Sequence, residues 1–454
     1  MQRDTDLTHG SITRKLLMVA VPIMGTSLLQ MAYNLTDMFW LGRSADAANA
    51  VASSGIGGMF IWLSMALMMF GRMGAEIGVS QNLGRGDEAS AEQYGRAAIR
   101  MAALLGVLYA AILMIFTAQL VTPFVPGDEH AQVVRTGAET YLWIVALGVP
   151  MTYITAAVTG VFNGAGNSRL SFICNATGLV INVILDPIMI NTLGWGIAGA
   201  AIATVIAQGV VCLLFVIFIR THKQRPLKQF RFRGKEQSQV SGQIFKWAWP
   251  VVLESAVFTL LAMVVSSMVA GYGSRALTVQ RIGSQIESLS WLIGGGFGTA
   301  ITAFVGQNFG ARQYDRIRAG LKIALTWLTC WQTLVTLVMF FMGGALYKIF
   351  IDDPQIWEMG IIYLRILSFC VILGGVEGAC SGAFRGMGKT MPPSFCSIAS
   401  NLLRPVLCYL MSIKMGLYGL WWGVTLTAAL RGLLIGIWYY FYSKKHLPRI
   451  GEGV

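Results

Sequence analysis

Charge is scarce in this chain. Only 12% of its 454 residues are Asp, Glu, Lys or Arg, where a soluble globular protein carries about 25%. Histidine is scarcer still. The four present (His9, His130, His222, His446) all fall in polar connections or near the termini, which excludes an imidazole relay or a histidine metal site inside an apolar span. Seven cysteines lie within apolar runs and none forms a Cys-x-x-Cys pair, so they read as small core hydrophobes rather than thiolate ligands. No Gly-x-x-x-x-Gly-Lys-Ser/Thr loop occurs. Gly386-Met-Gly388-Lys389-Thr390 resembles its end but lacks the upstream glycine spacing, so no nucleotide is expected as a partner. The net charge of +13 does not point to nucleic acid either, because the basic residues cluster in short connections. No nucleophile or metal constellation stands inside the apolar runs, so the chain does not read as an enzyme and no cofactor is expected.

What is abundant is apolar sequence. Hydrophobic residues make up 55% of the chain, and mean hydropathy is +0.62. The apolar runs are continuous and about twenty residues long, which fits membrane-spanning α-helices and not alternating barrel strands. About twelve spans are expected, near 16–40, 51–80, 97–119, 136–162, 170–190, 196–219, 243–270, 277–305, 318–343, 357–384, 393–413 and 417–442. The polar start Met1 to His9 precedes an apolar run too long for a signal peptide, so no cleavable signal is expected. Lys and Arg concentrate on one side: Arg14 and Lys15, Arg85 to Arg100, Arg169, Lys223 to Lys235, Arg312 to Arg318, Arg385 and Lys389, Lys444 and Lys445. By the positive-inside rule that side, with both termini, is cytoplasmic. The expected location is a plasma membrane of the bacterial inner-membrane type.

The chain is an internal duplication. Gly160-Val-Phe162-Asn-Gly164-Ala-Gly166 recurs as Gly382-Ala-Phe384-Arg-Gly386-Met-Gly388. Gln81-Asn82-Leu-Gly84 recurs as Gln307-Asn308-Phe-Gly310, and Ala20-Val-Pro22 as Ala248-Trp-Pro250. The steady offset, with an even number of spans per copy, predicts two parallel six-helix lobes (1–220 and 242–454) joined by a basic cytoplasmic linker (221–241). The fold expected is an all-α polytopic membrane protein with two pseudo-symmetric lobes and a central cleft, an arrangement typical of transporters.

Against this apolar background a few polar residues stand out. Asn182 and Asp186 are four apart, hence on one helical face, in the run Leu179-Val-Ile-Asn182-Val-Ile-Leu-Asp186-Pro187. A carboxylate at membrane depth usually faces a bundle interior and serves an ion or proton. At 1.5 Å per residue, Asp37 lies roughly 9 Å, Asp186 roughly 7 Å and Thr204 roughly 12 Å in from the ends of their spans, on the same side of the bilayer. Carboxylate, amide and hydroxyl oxygens suit a hard cation. Two nearby carboxylates in a low dielectric do not both ionise at low energy, so one is expected to hold a proton, and proton and cation then compete. Gln30, Tyr33 and Asn34 share a face with Asp37 and are candidates for a substrate cavity. Arg72 and Glu76, also four apart, read as a structural ion pair. Glu254, Arg281, Glu287, Glu377, Arg404 and Arg431 populate the second half. Its acids Glu254 and Glu377 are candidates for a second coupling site.

The two six-helix copies, the basic linker and the Gly-x-Phe-x-Gly-x-Gly and Gln-Asn-x-Gly motifs together resemble the multidrug and toxic compound extrusion (MATE) transporters over nearly the whole length. Pro22 followed by Asp37 in the first span, Asn182-x-x-x-Asp186 in the fifth and Thr204 in the sixth are similar to the DinF-like branch. The resemblance implies an antiporter that exports small cationic or amphipathic compounds in exchange for H⁺ and/or Na⁺. It implies coupling at Asp37, Asn182, Asp186 and Thr204, with Na⁺ as the candidate metal there, and a bending point at Pro22. It also implies Tyr141 near the cavity. Glu254 and Glu377 are displaced from the C-lobe acids of the NorM-like branch. The implied partners are a small organic substrate and membrane lipid, with the protein a monomer. The alternative within the same superfamily is a flippase for lipid or lipid-linked oligosaccharide.

Overall fold

The computed structural model describes residues 5–41, 47–125, 131–221, 238–350 and 353–447, and among their helices the side chains of residues 34, 35, 37, 38, 47, 48 and 289 fall outside the description. Among the described residues the chain is helical and has no strand. The helices are α1 (Ile12–Leu41), α2 (Ala47–Gly84), α3 (Glu88–Ile115), the short α4 (Thr117–Val121), α5 (Ala131–Gly164), α6 (Ser168–Pro187), α7 (Gly196–Thr221), α8 (Ser238–Ala270), α9 (Ser274–Gly310), α10 (Tyr314–Lys348), α11 (Pro354–Gly386), α12 (Met391–Met415) and α13 (Leu417–His446). Twelve of them are long and apolar enough to cross a membrane. Most run past the expected apolar limits at both ends. The third span instead breaks at Phe116, and the fifth ends in a π-helical turn, Ile188–Thr192, after Pro187. Large apolar side chains such as Leu104, Phe341 and Phe441 are more than half exposed, as faces turned to lipid require.

The chain divides into two compact units. The first holds 1–6 and 21–249; the second holds 7–20 and 250–454. The first unit is built around α2, α3 and α5, and takes Val240 and Ile244 of α8 into its core. The second is built around α9, α10, α11 and α13. The divisions fall beside Pro22 and Pro250, the matched prolines of the repeat.

The glycine motif does the same job in each unit. A Cβ at Gly164 would sit 2.6 Å from the Glu76 carbonyl of α2, and one at Gly386 2.6 Å from the Thr302 carbonyl of α9. The missing side chains let α5 meet α2, and α11 meet α9, backbone to backbone. Each motif then ends on a glycine with positive φ, Gly166 at 77° and Gly388 at 73°, a conformation that admits glycine without strain. The second motif also has one geometry twice: Asn82 Nδ2 donates to the Gly78 carbonyl and Asn308 Nδ2 to the Phe304 carbonyl, both at 2.8 Å.

In the second unit that asparagine has further work. The Leu7 side chain is fully buried. Its N–H donates to Gln307 Oε1 at 2.9 Å, and its carbonyl accepts from Asn308 Nδ2 and from Arg316 Nε and Nη2, each at 3.2 Å. The segment before α1 is therefore a strap held by the Gln-Asn motif. Deleting residues 1–8 leaves the buried Gln307 and Asn308 short of a hydrogen bond, and an unsatisfied buried group costs about 1–3 kcal/mol. The midpoint of thermal unfolding in detergent is expected to fall by several degrees. An unchanged midpoint would show that the strap is incidental.

Candidate functional site

Pro187 gives α6 its local character. Its ring removes the N–H that would bond the Val183 carbonyl one turn back, and the chain passes into the π-helical turn. Just before it, Asn182 and Asp186 are fully buried, and Asn182 Nδ2 donates to Asp186 Oδ1 at 3.1 Å. The amide is thus oriented with its nitrogen on the acid, and the Asn182 Oδ1 atom is buried without a hydrogen-bond partner among the described residues. Thr204 Oγ1 in α7 is likewise buried without one.

Two close crossings set the antiparallel register of α6 and its π-turn on α7. A Cβ at Gly178 would meet Val211, and one at Gly199 would meet the Met189 carbonyl, 2.6 Å away. Between these points Thr204 is level with the turn that joins Asn182 to Asp186. A third helix enters through a small buried cluster in which Leu41 of α1, Ile190 of the π-turn and Ala200 of α7 pack with Ala50 of α2. One turn inward from Ala200 is Thr204. Four residues before Ile190 is Asp186, and four before Leu41 is Asp37. The backbone of Asp37 lies in α1, while its side chain, like that of Asn34, lies outside the described residues.

Further along the same helices a cavity of about 30 Å³ is lined by Thr26, Gln30 and Tyr33 of α1, Asn175 and Gly178 of α6, and Gln208 of α7. Gln30 and Tyr33 are the expected cavity residues. Asn175 and Gln208 were not singled out from the sequence, although a signal was present: Asn175 is seven before Asn182 and Gln208 four after Thr204, so each extends a polar face already marked. Drug-sized ligands occupy pockets of about 300–1,000 Å³, so this cavity is too small to hold one. Tyr141 does not line it; its ring packs where α5 meets Gly57 of α2. Pro22 interrupts the ladder of α1, and the Thr26 hydroxyl donates to the Pro22 carbonyl at 3.0 Å. A proline followed by such back-bonding is a recognised cause of helix bending.

The remaining charges have other arrangements. Among the described residues no ion pair joins Arg72 to Glu76; Arg72 Nε is buried without a partner, so the expected i,i+4 pair is not formed. In the second unit both candidate acids are engaged. Glu254 Oε2 accepts from the Ser394 hydroxyl at 2.8 Å and from Arg385 Nη2 at 3.4 Å. Glu377 Oε2 is 2.8 Å from Arg431 Nε. Arg431 also sits over the Trp291 ring, 5.9 Å from its centroid, and the Trp291 indole N–H donates to Glu287 at 2.8 Å. Arg404 Nε donates to the Thr427 hydroxyl at 3.1 Å.

A protein-family model, MatE, matches residues 22–188 and 250–410, one stretch in each half. The chain is 26% identical over 433 residues to a probable multidrug resistance protein NorM of Thermotoga maritima, covering 93% of this chain and 91% of that one. It is 24% identical over 420 residues to the multidrug export protein MepA of Staphylococcus haemolyticus, covering 92% and 90%. Its fold is similar to an outward-facing multidrug resistance MATE family transporter of the MOP superfamily, with a TM-score of 0.89 at 19% identity over 98% of this chain and 99% of that one.

Proposed function

Because the chain belongs to the MatE family and is a multi-pass membrane protein and not an enzyme, we propose that it is a secondary antiporter that exports small cationic or amphipathic compounds in exchange for H⁺ and/or Na⁺. The named relatives, a multidrug resistance protein and a multidrug export protein, support the efflux reading. The observation that carries the coupling is the fully buried Asn182–Asp186 pair level with Thr204, with Asn182 Oδ1 and Thr204 Oγ1 buried and unbonded among the described residues.

Such oxygens are costly in a low dielectric unless something binds them. A proton on the carboxylate or a hard cation among the oxygens serves that need. Asp37, one turn inside Leu41, completes the donor set in this reading. With α1 displaced, Gln30, Tyr33, Asn175 and Gln208 line a widened cavity that holds the substrate. Arrival of the coupling ion at Asp37 and Asp186 favours the contracted state, in which α1 closes the cavity by bending at Pro22 and expels the substrate. Coupling follows because ion and substrate favour different states. The basic helix ends and both termini face the cytoplasm of an inner-membrane-type bilayer.

The test is transport of a lipophilic cationic dye in proteoliposomes under separately imposed proton and sodium gradients. Dye movement is expected to follow at least one gradient and to stop when an ionophore collapses it. Dye movement indifferent to both gradients overturns the antiport, and movement of labelled lipid in place of dye favours a flippase.

A further inference from the structure

One groove in the second unit belongs to none of this. It has a volume of about 710 Å³ and runs along α10, α11 and α13. Its mouth is at the basic end of these helices, where Arg318 and Lys322 of α10 stand near the start of their helix and Ser443 stands near the end of α13. Its inner part is apolar, with Leu325, Val376 and Cys380 among the lining. Gly436 keeps it open: a Cβ there would lie 3.1 Å from Val376 Cγ1.

The mouth is built for negative charge. Arg318 has one acidic neighbour among the described residues, Asp315 at 3.4 Å. Lys322 is exposed and has no acidic partner among the described residues. Lys444 adds a third cation over the ring of Tyr440, which lines the groove, 4.5 Å from its centroid. A second feature is independent of charge. Tyr439 lines the groove and is only 6% exposed, yet its buried hydroxyl has no hydrogen-bond partner among the described residues. A buried O–H without an acceptor is destabilising, so it marks a place where an acceptor is missing.

We propose that this groove binds an anionic phospholipid of the leaflet that meets the basic helix ends, with its phosphate at Arg318, Lys322 and Tyr439 and an acyl chain along the apolar floor. Two lining cations, with Lys444 over the neighbouring Tyr440 ring, match an anionic headgroup in charge, and basic pockets between membrane helices are a recognition surface for such lipids. A zwitterionic lipid fills the floor equally well but leaves the net positive charge at the mouth uncompensated. The Tyr439 hydroxyl donates to a phosphate oxygen, which supplies the missing acceptor.

The experiment is native mass spectrometry of the full-length protein with phosphatidylglycerol or phosphatidylcholine. The unaltered protein is expected to retain phosphatidylglycerol through delipidation at least about fivefold better, about 1 kcal/mol. Lys322→Gln combined with Tyr439→Phe is expected to abolish that preference while leaving phosphatidylcholine binding unchanged. The phenylalanine keeps the ring that packs edge-on against Phe384 at 5.3 Å, so the variant retains the local packing. Lys348→Gln, at the opposite end of α10, is expected to keep the preference. Equal retention of the two lipids by the unaltered protein overturns the proposal. So does a preference that survives the double substitution, or one that is lost in Lys348→Gln. Should the double variant fail to fold, Gly436→Leu, which fills the floor, tests the same groove by loss of both lipids.

Discussion

Asp186→Asn is expected to reduce gradient-driven dye export by at least about tenfold while leaving the protein folded and expressed. The substitution is nearly isosteric, and the new amide oxygen still accepts from Asn182 Nδ2, which now sits 3.1 Å from the carboxylate. Packing around a fully buried side chain is therefore kept. What disappears is the charge, and with it the ability to take up a proton or hold a cation. A coupling free energy arises only from differential binding to two states, and an amide that never changes its protonation binds the ion equally poorly in both. Tenfold corresponds to about 1.4 kcal/mol, a modest demand on a carboxylate at this depth. Asp37→Asn is expected to match it. Thr204→Ala removes one neutral oxygen and is expected to cost less, with an altered ion dependence before an altered maximal rate. Both aspartate variants exporting dye at the unaltered rate, at equal expression, would remove the proposed coupling site.

Much of this arrangement was legible from residue order because it rests on local periodicity. Asn182 and Asp186 share a face through their spacing alone, and both proved fully buried. The repeated glycine motif was legible as a repeat, though its purpose, a backbone crossing at Gly164 and Gly386, needs a neighbouring helix to become visible. Other features depend on partners far apart in the chain. Glu254 finds Ser394 and Arg385, 140 and 131 residues on, and no local pattern announces such pairs. Arg72 and Glu76 show the converse: i,i+4 spacing allows an ion pair but does not compel one, since a half-buried arginine and a buried glutamate each respond to whatever lies across the helix interface. The strap at Leu7 was invisible for a related reason. A leucine in a polar segment gives no signal until Gln307, Asn308 and Arg316 are brought around its backbone.

Arg431→Ala is expected to be among the most damaging single changes in the second unit, lowering stability by about 3–5 kcal/mol, because it leaves the Glu377 carboxylate buried without its counter-ion. The two side chains are 9% and 15% exposed and 2.8 Å apart, and the guanidinium also covers the Trp291 ring. The loss would show as a drop in the thermal midpoint and in the yield of monodisperse protein. Replacing the pair together, Glu377→Gln with Arg431→Met, is expected to recover most of that loss, since neither charge is then stranded and the long apolar side chain still reaches Trp291. The double variant also separates two roles for Glu377. A carboxylate already neutralised by arginine has little left to offer a transported cation, so a folded double variant is expected to retain ion-driven export, with coupling resting on Asp37 and Asp186. Loss of export in a double variant that melts like the unaltered protein would instead assign Glu377 to the coupling machinery, and the second unit would then share the work with the first.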